Sequence, residues 1–326
     1  MSAGGRMLGR AVRLLTVVTL AATLAAFTSC KPERSLLDIA YGDADAQKLD
    51  LYLPAGNGPH PLVIYIHGGG WWNGSKSNTS RADIEQFLKR GVAFAAIDYG
   101  NLDAAVQEGL FPPLLKPLHD SRRAMQFLRM NAANYRLDPE RIGAYGSSAG
   151  GFNALWLGLH PDQAVPDATD PIDRVSTRLT LTAGIDAQTT IDPNQMRQWA
   201  GPKLRYGGHA FGLMEKDFDG FLARRDEFKP HIDVLSPVYL ISPDAPPVHL
   251  LYDTAKPVEL YEHIDFVHSP GFGLGFMRIA QRKGHSASMS VTGIHPERER
   301  RAFLDRIADA LIEPVAVDEP TTLPSS

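Results

Sequence analysis

Two glycine-framed stretches carry residues able to do covalent chemistry. The first is Gly146-Ser147-Ser148-Ala149-Gly150, which sets Ser148 in the pattern G-x-S-x-G. A strand-like run, Ile142 to Tyr145, precedes it, and a helix-compatible run, Phe152 to Leu159, follows it. A serine on a sharp strand-to-helix turn exposes its hydroxyl, and its neighbours must be small because a Cβ would clash there. The following helix aims its first N–H groups and the positive end of its dipole at the reacting atoms. The chemistry this permits is attack by the Ser148 hydroxyl on a carbonyl carbon. The pentapeptide alone fits a plain Gly/Ser turn equally well, so the rest of the chain has to decide.

The second stretch is His67-Gly68-Gly69-Gly70, directly after the apolar run Leu62 to Ile66. Three glycines expose backbone N–H groups and let a substrate approach closely. No helix opens immediately after them and no G-x-x-x-x-G-K-[ST] is present, so a phosphate loop is excluded. One half of an oxyanion hole fits better: the N–H groups of Gly68 and Gly69 would join that of Ala149 around a developing negative oxygen. Trp71 and Trp72 come next and are candidates for the wall of an acyl or alcohol pocket, with packing beneath the loop as the alternative for Trp72. His67, Gly70 and Ser147 are further candidate substrate contacts.

The elements that must position these groups alternate. Leu36–Ala40 and Lys48–Leu53 read as an antiparallel hairpin at a sheet edge. Leu62–Ile66 and Val92–Ile97 are continuous apolar runs, the pattern of strands buried on both faces. Arg81–Arg90 reads as a helix capped by Ser80, and Pro117–Asn134 as another. Leu137–Glu140 reads as a turn into the strand that carries Ser148. Leu179–Gly184, Val248–Tyr252 and Ser286–Val291 complete the strands, and Pro296–Ile312 is an amphipathic helix with Phe303, Leu304, Ile307 and Leu311 inward. The fold class is α/β: a mostly parallel, doubly wound sheet with helices on both faces. Residues 186–245 are less periodic and are the candidate cap over the site. Residues 313–326 are Pro- and Thr-rich and read as a flexible tail.

A net charge of −4 with no basic block gives no reason to expect a nucleic-acid partner. The single cysteine, Cys30, excludes a disulfide framework and a cysteine metal site. Arg6, Arg10 and Arg13 precede the uncharged run Leu14–Phe27, which is too short to span a bilayer comfortably. Residues 1–29 therefore read as a signal peptide and 30–35 as a tether. Phe27-Thr28-Ser29-Cys30 resembles the bacterial lipobox, with Phe27 where leucine is usual. That resemblance implies a lipidated Cys30, export to the cell envelope and anchoring at a membrane surface. The alternatives are an ordinary signal peptide, giving a secreted or periplasmic soluble protein, or an uncleaved anchor.

Pro61-Leu-Val-Ile-Tyr-Ile-His-Gly-Gly-Gly-Trp71, Ile97-Asp-Tyr99 and Leu137 to Gly151 together resemble the α/β-hydrolase superfamily, and within it the carboxylesterases of the hormone-sensitive-lipase and BD-FAE-like type. The likeness covers nearly all of residues 36–312, the expected hydrolase domain, and is weakest between 186 and 245. It implies a serine carboxylesterase working through an acyl-enzyme, on short-acyl esters including acetylated or feruloylated carbohydrates, with no metal or organic cofactor. Such families order their triad as serine, acid, histidine. The base then follows the last strand, where His295 stands, while His285 lies at the wrong end of that strand. His209 and His268 are further histidines able to line the pocket. The acid departs from the family pattern, because simple alignment puts Lys256 in its place. Asp265 fits a lengthened loop by its spacing, Asp253 at the strand end is the alternative, and Glu259 or Glu262 follow. Two rival readings are a peptidase of the prolyl-oligopeptidase kind and a non-catalytic binding protein on a hydrolase scaffold.

Overall fold

The computed structural model describes residues 34–214, 217–253, 266–293 and 295–313. The leader with Cys30, the acids Asp265, Glu259 and Glu262, Lys256 and the tail from 314 lie outside the described residues.

The apolar run before the triple glycine forms the heart of the sheet: β3 (His60–Ile66) is buried at every position. A strand with both faces covered needs no alternation, which is why this one reads as continuous Leu, Val and Ile. Around it stand β1 (Arg34–Ala40), β2 (Lys48–Leu53), β4 (Ala93–Ile97), β5 (Leu137–Ser147), β6 (Leu181–Ile185), β7 (Val248–Tyr252) and β8 (Ala287–Val291). The sheet order is β1-β2-β4-β3-β5-β6-β7-β8. The hairpin β1–β2 and the β2–β4 pair are antiparallel, and the remaining pairs are parallel. The segment expected as a turn, Leu137–Glu140, instead opens β5, with Leu137 opposite His60 across a register irregularity.

Helices cover both faces. On one lie α1 (Arg81–Lys89) and α9 (Pro296–Ile312), whose Phe87, Leu88, Phe303, Leu304 and Ile307 share a core with Val63, Phe94 and Tyr145. Ser80 caps α1 by accepting a hydrogen bond from the Asp83 N–H at 3.4 Å. On the other lie α3 (Leu115–Met130) and α4 (Ala149–Leu159). All eleven residues of α4 are buried, so it is covered on every side rather than amphipathic. A short helix, α2 (Leu102–Gln107), is capped by Asn101 and is too brief to leave a periodic signal.

Between β6 and β7 the chain makes α5 (Pro193–Ala200), α6 (Phe218–Ala223) and α7 (Arg225–Leu235). Buried Asp192 ties this insertion together: it caps α5 and accepts from Arg225 at 2.9 and 2.6 Å and from the Tyr239 hydroxyl at 2.8 Å. Helix α8 (Gly271–Arg282) then leads into β8. Among the described residues no helix is long and apolar enough to cross a membrane.

Candidate active site

Ser148 sits between the last residue of β5 and the first of α4 with φ 54° and ψ −122°, a conformation that costs a non-glycine residue of order 1–3 kcal/mol. The turn is held by the Ser148 N–H, which donates to the Ile185 carbonyl at the end of β6 (2.8 Å), and by the Ser148 carbonyl, which accepts from Phe152 N–H (3.0 Å). Its two framing glycines are required by close approach. A Cβ on Gly146 would lie 2.6 Å from the Ile66 carbonyl oxygen, and one on Gly150 would run into the same oxygen and that of His67. As the N-cap of α4, Ser148 makes no side-chain cap bond, so its hydroxyl is available for other partners.

The partner it has is a histidine. His268 Nε2 lies 2.9 Å from Ser148 Oγ. The base expected from the family pattern, His295, is not the residue brought there. His295 is exposed, forms the N-cap of α9 and borders a surface groove with Pro296, Glu297, Arg298 and Arg301. The short connection after β8 accounts for the difference. Only residues 292–295 separate β8 from α9, and their far end is already committed to that helix. The turn Phe266–His268 reaches Ser148 by another route, docked on residues that follow β6, the immediate neighbour of β5. Sequence reasoning counted His268 only among possible pocket residues. The signal that could have promoted it is Gly271 and Gly275, one helical turn apart in α8. A Cβ at either would clash with Trp199, so α5 and α8 pack closely beside this turn.

Of the two acids weighed from the sequence, Asp265 lies outside the described residues. Asp253, at the end of β7, accepts from the Thr292 hydroxyl at 2.6 Å, and its N–H donates to Asp186 Oδ1 at 2.8 Å. Both its neighbours line a groove of about 300 Å³ with Asp253, Pro296, Glu297 and Arg300. His285 is buried at the other end of β8, with Nδ1 3.1 Å from the Ser242 carbonyl oxygen.

The triple-glycine loop lies against the elbow as expected. A Cβ on Gly68 would be 2.7 Å from the Ser147 carbonyl oxygen and 3.3 Å from the Ser148 Cβ. The Trp72 and Asn73 N–H groups both donate to the Gly69 carbonyl, closing the loop into a turn (3.1 and 3.0 Å). Ala149 begins α4 and is buried. Two residues nominated as substrate contacts are instead packed away from solvent. Trp71 is fully buried: its indole N–H donates to Asn153 Oδ1 of α4 at 2.8 Å, and its ring packs edge-on to Phe152. It fastens the loop to the helix behind Ser148 rather than walling a pocket. His67 stacks on Tyr99 with ring centres 4.2 Å apart, and the Tyr99 hydroxyl donates to the His67 carbonyl at 2.9 Å. Burial pushes the His67 imidazole below its ordinary value. Trp72 is half-buried and leans on His209, as do Trp71 and Tyr206.

His209 belongs to the insertion, and burial pushes its pKa down to about 4. His119, half-buried near Trp156, is likewise pushed to about 4, first by burial and then by Arg122. The unfolded imidazoles take up protons below about pH 6.5, while the folded ones do so only near 4. Stability is therefore full above pH 6.5 and lost as the pH falls from there toward 4. Thermal unfolding should show Tm dropping over that window, and dropping less in His209→Gln. Equal slopes for the two proteins would contradict the assignment.

An eight-stranded sheet with a serine at the β5–α4 turn, a histidine on its hydroxyl and a glycine loop against the elbow defines an α/β-hydrolase fold. The chain belongs to the BD-FAE family, whose family model matches residues 49–264. That match contains Ser148 and the glycine loop but stops before both His268 and His295. Among solved structures, the chain is similar to a truncated carbohydrate esterase from gut microbiota (17% identity, TM-score 0.63, 86% of this chain and 98% of that one). It is also similar to esterase 2 of Thermogutta terrifontis with propionate bound (20% identity, TM-score 0.60, 84% and 92%). At such identities these two establish the fold. A probable isoprenylcysteine α-carbonyl methylesterase of Arabidopsis thaliana is 36% identical over 113 residues, which is 34% of this chain and 22% of that protein. The chain spans about a quarter of the length of the first curated relatives it matches.

Proposed function

We propose that the protein is a serine ester hydrolase acting on short-acyl esters, acetylated or feruloylated carbohydrates among them, with Ser148 as nucleophile and His268 as base. The observation that carries the reading is the 2.9 Å contact between His268 Nε2 and Ser148 Oγ at a strained strand-to-helix turn. Supporting it are the glycine loop against that turn, membership of the BD-FAE family, and the esterase names of the relatives above.

The chemistry runs in two halves. His268 Nε2 takes the Ser148 proton as Oγ attacks the ester carbonyl. Negative charge moves to the carbonyl oxygen, for which the Gly68, Gly69 and Ala149 N–H groups are the donors, with the dipole of α4 behind them. The intermediate collapses, His268 gives its proton to the departing alkoxide, and Ser148 carries the acyl group. Water, deprotonated by His268, then releases the acid and restores Ser148. The sequence spacing of Asp265 is read against His295 as base; three residues before His268 in the chain, it is the proposed orienting carboxylate for that histidine instead. The test of function is hydrolysis of p-nitrophenyl acetate and butyrate by the wild type, absent in Ser148→Ala. Equal turnover by the two proteins would sink the reading.

The place of work is proposed from the leader: the cell envelope, tethered by lipidated Cys30. In a bacterial host, metabolic labelling with an alkynyl fatty acid should mark the wild type and miss Cys30→Ala, which should leave the membrane fraction. An unlabelled wild type would overturn the anchor.

A further inference from the structure

We propose that Gln188 is the positioning residue for the base: its buried side-chain amide holds the backbone beside His268 and so sets the imidazole at Ser148. The inference rests on the reading of His268 as the base. The turn Phe266–His268 is a single short helical turn, half-exposed and too brief to fix a side chain by itself. Two of the bonds that fix it come from residues just beyond β6. Gln188 is fully buried, and its Nε2 donates to the Val267 carbonyl at 2.7 Å, one residue before His268. Thr189, equally buried, donates its hydroxyl to the Phe272 carbonyl at 2.8 Å, four residues after His268. The histidine is thus bracketed by two consecutive side chains of one loop.

The same strand end also holds the nucleophile, because the Ser148 N–H donates to Ile185. Three residues of chain, 185 to 188, therefore join the group that locates Ser148 to the group that locates His268. From the outside, α5 presses the segment inward. Trp199 packs against Gly271 and Gly275, and Phe266 lies against Gly201. The Gln188 Oε1 is buried and accepts no hydrogen bond among the described residues. A buried, unpaired acceptor is costly. The Val267 carbonyl accepts only from a donor, so the bond fixes the amide with Nε2 toward His268's neighbour.

Misplacing a reacting group by about 1 Å costs up to about a hundredfold in rate. Gln188→Met keeps the length of the side chain and removes the donor. It is expected to lower kcat on p-nitrophenyl acetate about 10- to 100-fold with KM within about twofold and Tm close to wild type. A residue that only packs would lower Tm and leave the kcat of the folded enzyme intact. Gln188→Glu is the second variant. It keeps the shape and sets a carboxylate against the Val267 carbonyl, so kcat should fall at least as far. Should Gln188→Met unfold, this variant decides. Wild-type kcat in either folded variant would overturn the proposal. His268→Ala is run beside them: if it retains activity, the reading of His268 as base fails, whereas an inactive His268→Ala with a fully active Gln188→Met sinks only the role of Gln188.

Discussion

His268→Ala is expected to lower kcat/KM on p-nitrophenyl acetate by roughly a thousandfold to a millionfold, while His295→Ala stays within about threefold of wild type. A serine hydroxyl is a weak nucleophile unless its proton has somewhere to go as the bond forms. The His268 imidazole, 2.9 Å from Ser148 Oγ, is within reach of that proton. His295 is an exposed helix cap beside a surface groove, and a surface substitution of that kind changes little. The activity left in His268→Ala would come from the oxyanion donors and from binding, which do not depend on the base. Steady-state kinetics on the two variants, with circular dichroism to confirm folding, checks the pair. Asp265→Asn belongs in the same series and should lose most of its kcat with KM nearly unchanged, while an unaffected variant would remove Asp265 from the triad.

Ser148→Ala is expected to abolish turnover, a loss of up to about a millionfold, without loss of fold. Alanine meets the same backbone strain as serine at φ 54°, so Tm should barely move. Ser148→Gly separates strain from chemistry. Glycine occupies that conformation freely, so this variant should be more stable by about 1–3 kcal/mol and equally inactive. A gain in stability with a complete loss of activity is what a strained catalytic turn predicts. A Ser148→Gly protein that hydrolyses the ester would place the nucleophile elsewhere.

Most of the scaffold was legible in the sequence because its signals are local. β3 reads as a strand because both faces are covered, and α9 as a helix because one face is apolar and proline stands at its start. The elbow was legible because Gly146 and Gly150 are demanded by carbonyl oxygens within reach of a Cβ. The histidine on its hydroxyl was not, because its place depends on contacts between distant segments. His268 lies beside segments held by Gln188 and Thr189, two residues that leave no periodic or motif signal, and the Gly271–Gly275 pair marks only that α8 packs closely on α5. The family order pointed to the loop after β8, and the shortness of that loop is visible only once the boundaries of β8 and α9 are fixed. Trp71 was misplaced for a similar reason. A large aromatic beside a glycine loop fits a pocket wall and an internal brace alike, and only burial with the Asn153 bond selects the brace.

If Ser148 and His268 work as one unit, covalent trapping of the serine will depend on the histidine. The wild type, His268→Ala and His295→Ala would each be treated with a fluorophosphonate, digested and read by peptide mass spectrometry. One adduct is expected, on Ser148, formed at comparable rates in wild type and His295→Ala and at least a hundredfold more slowly in His268→Ala. Labelling of His268→Ala at the wild-type rate, or an adduct on any other serine, would mean that the two residues do not act together.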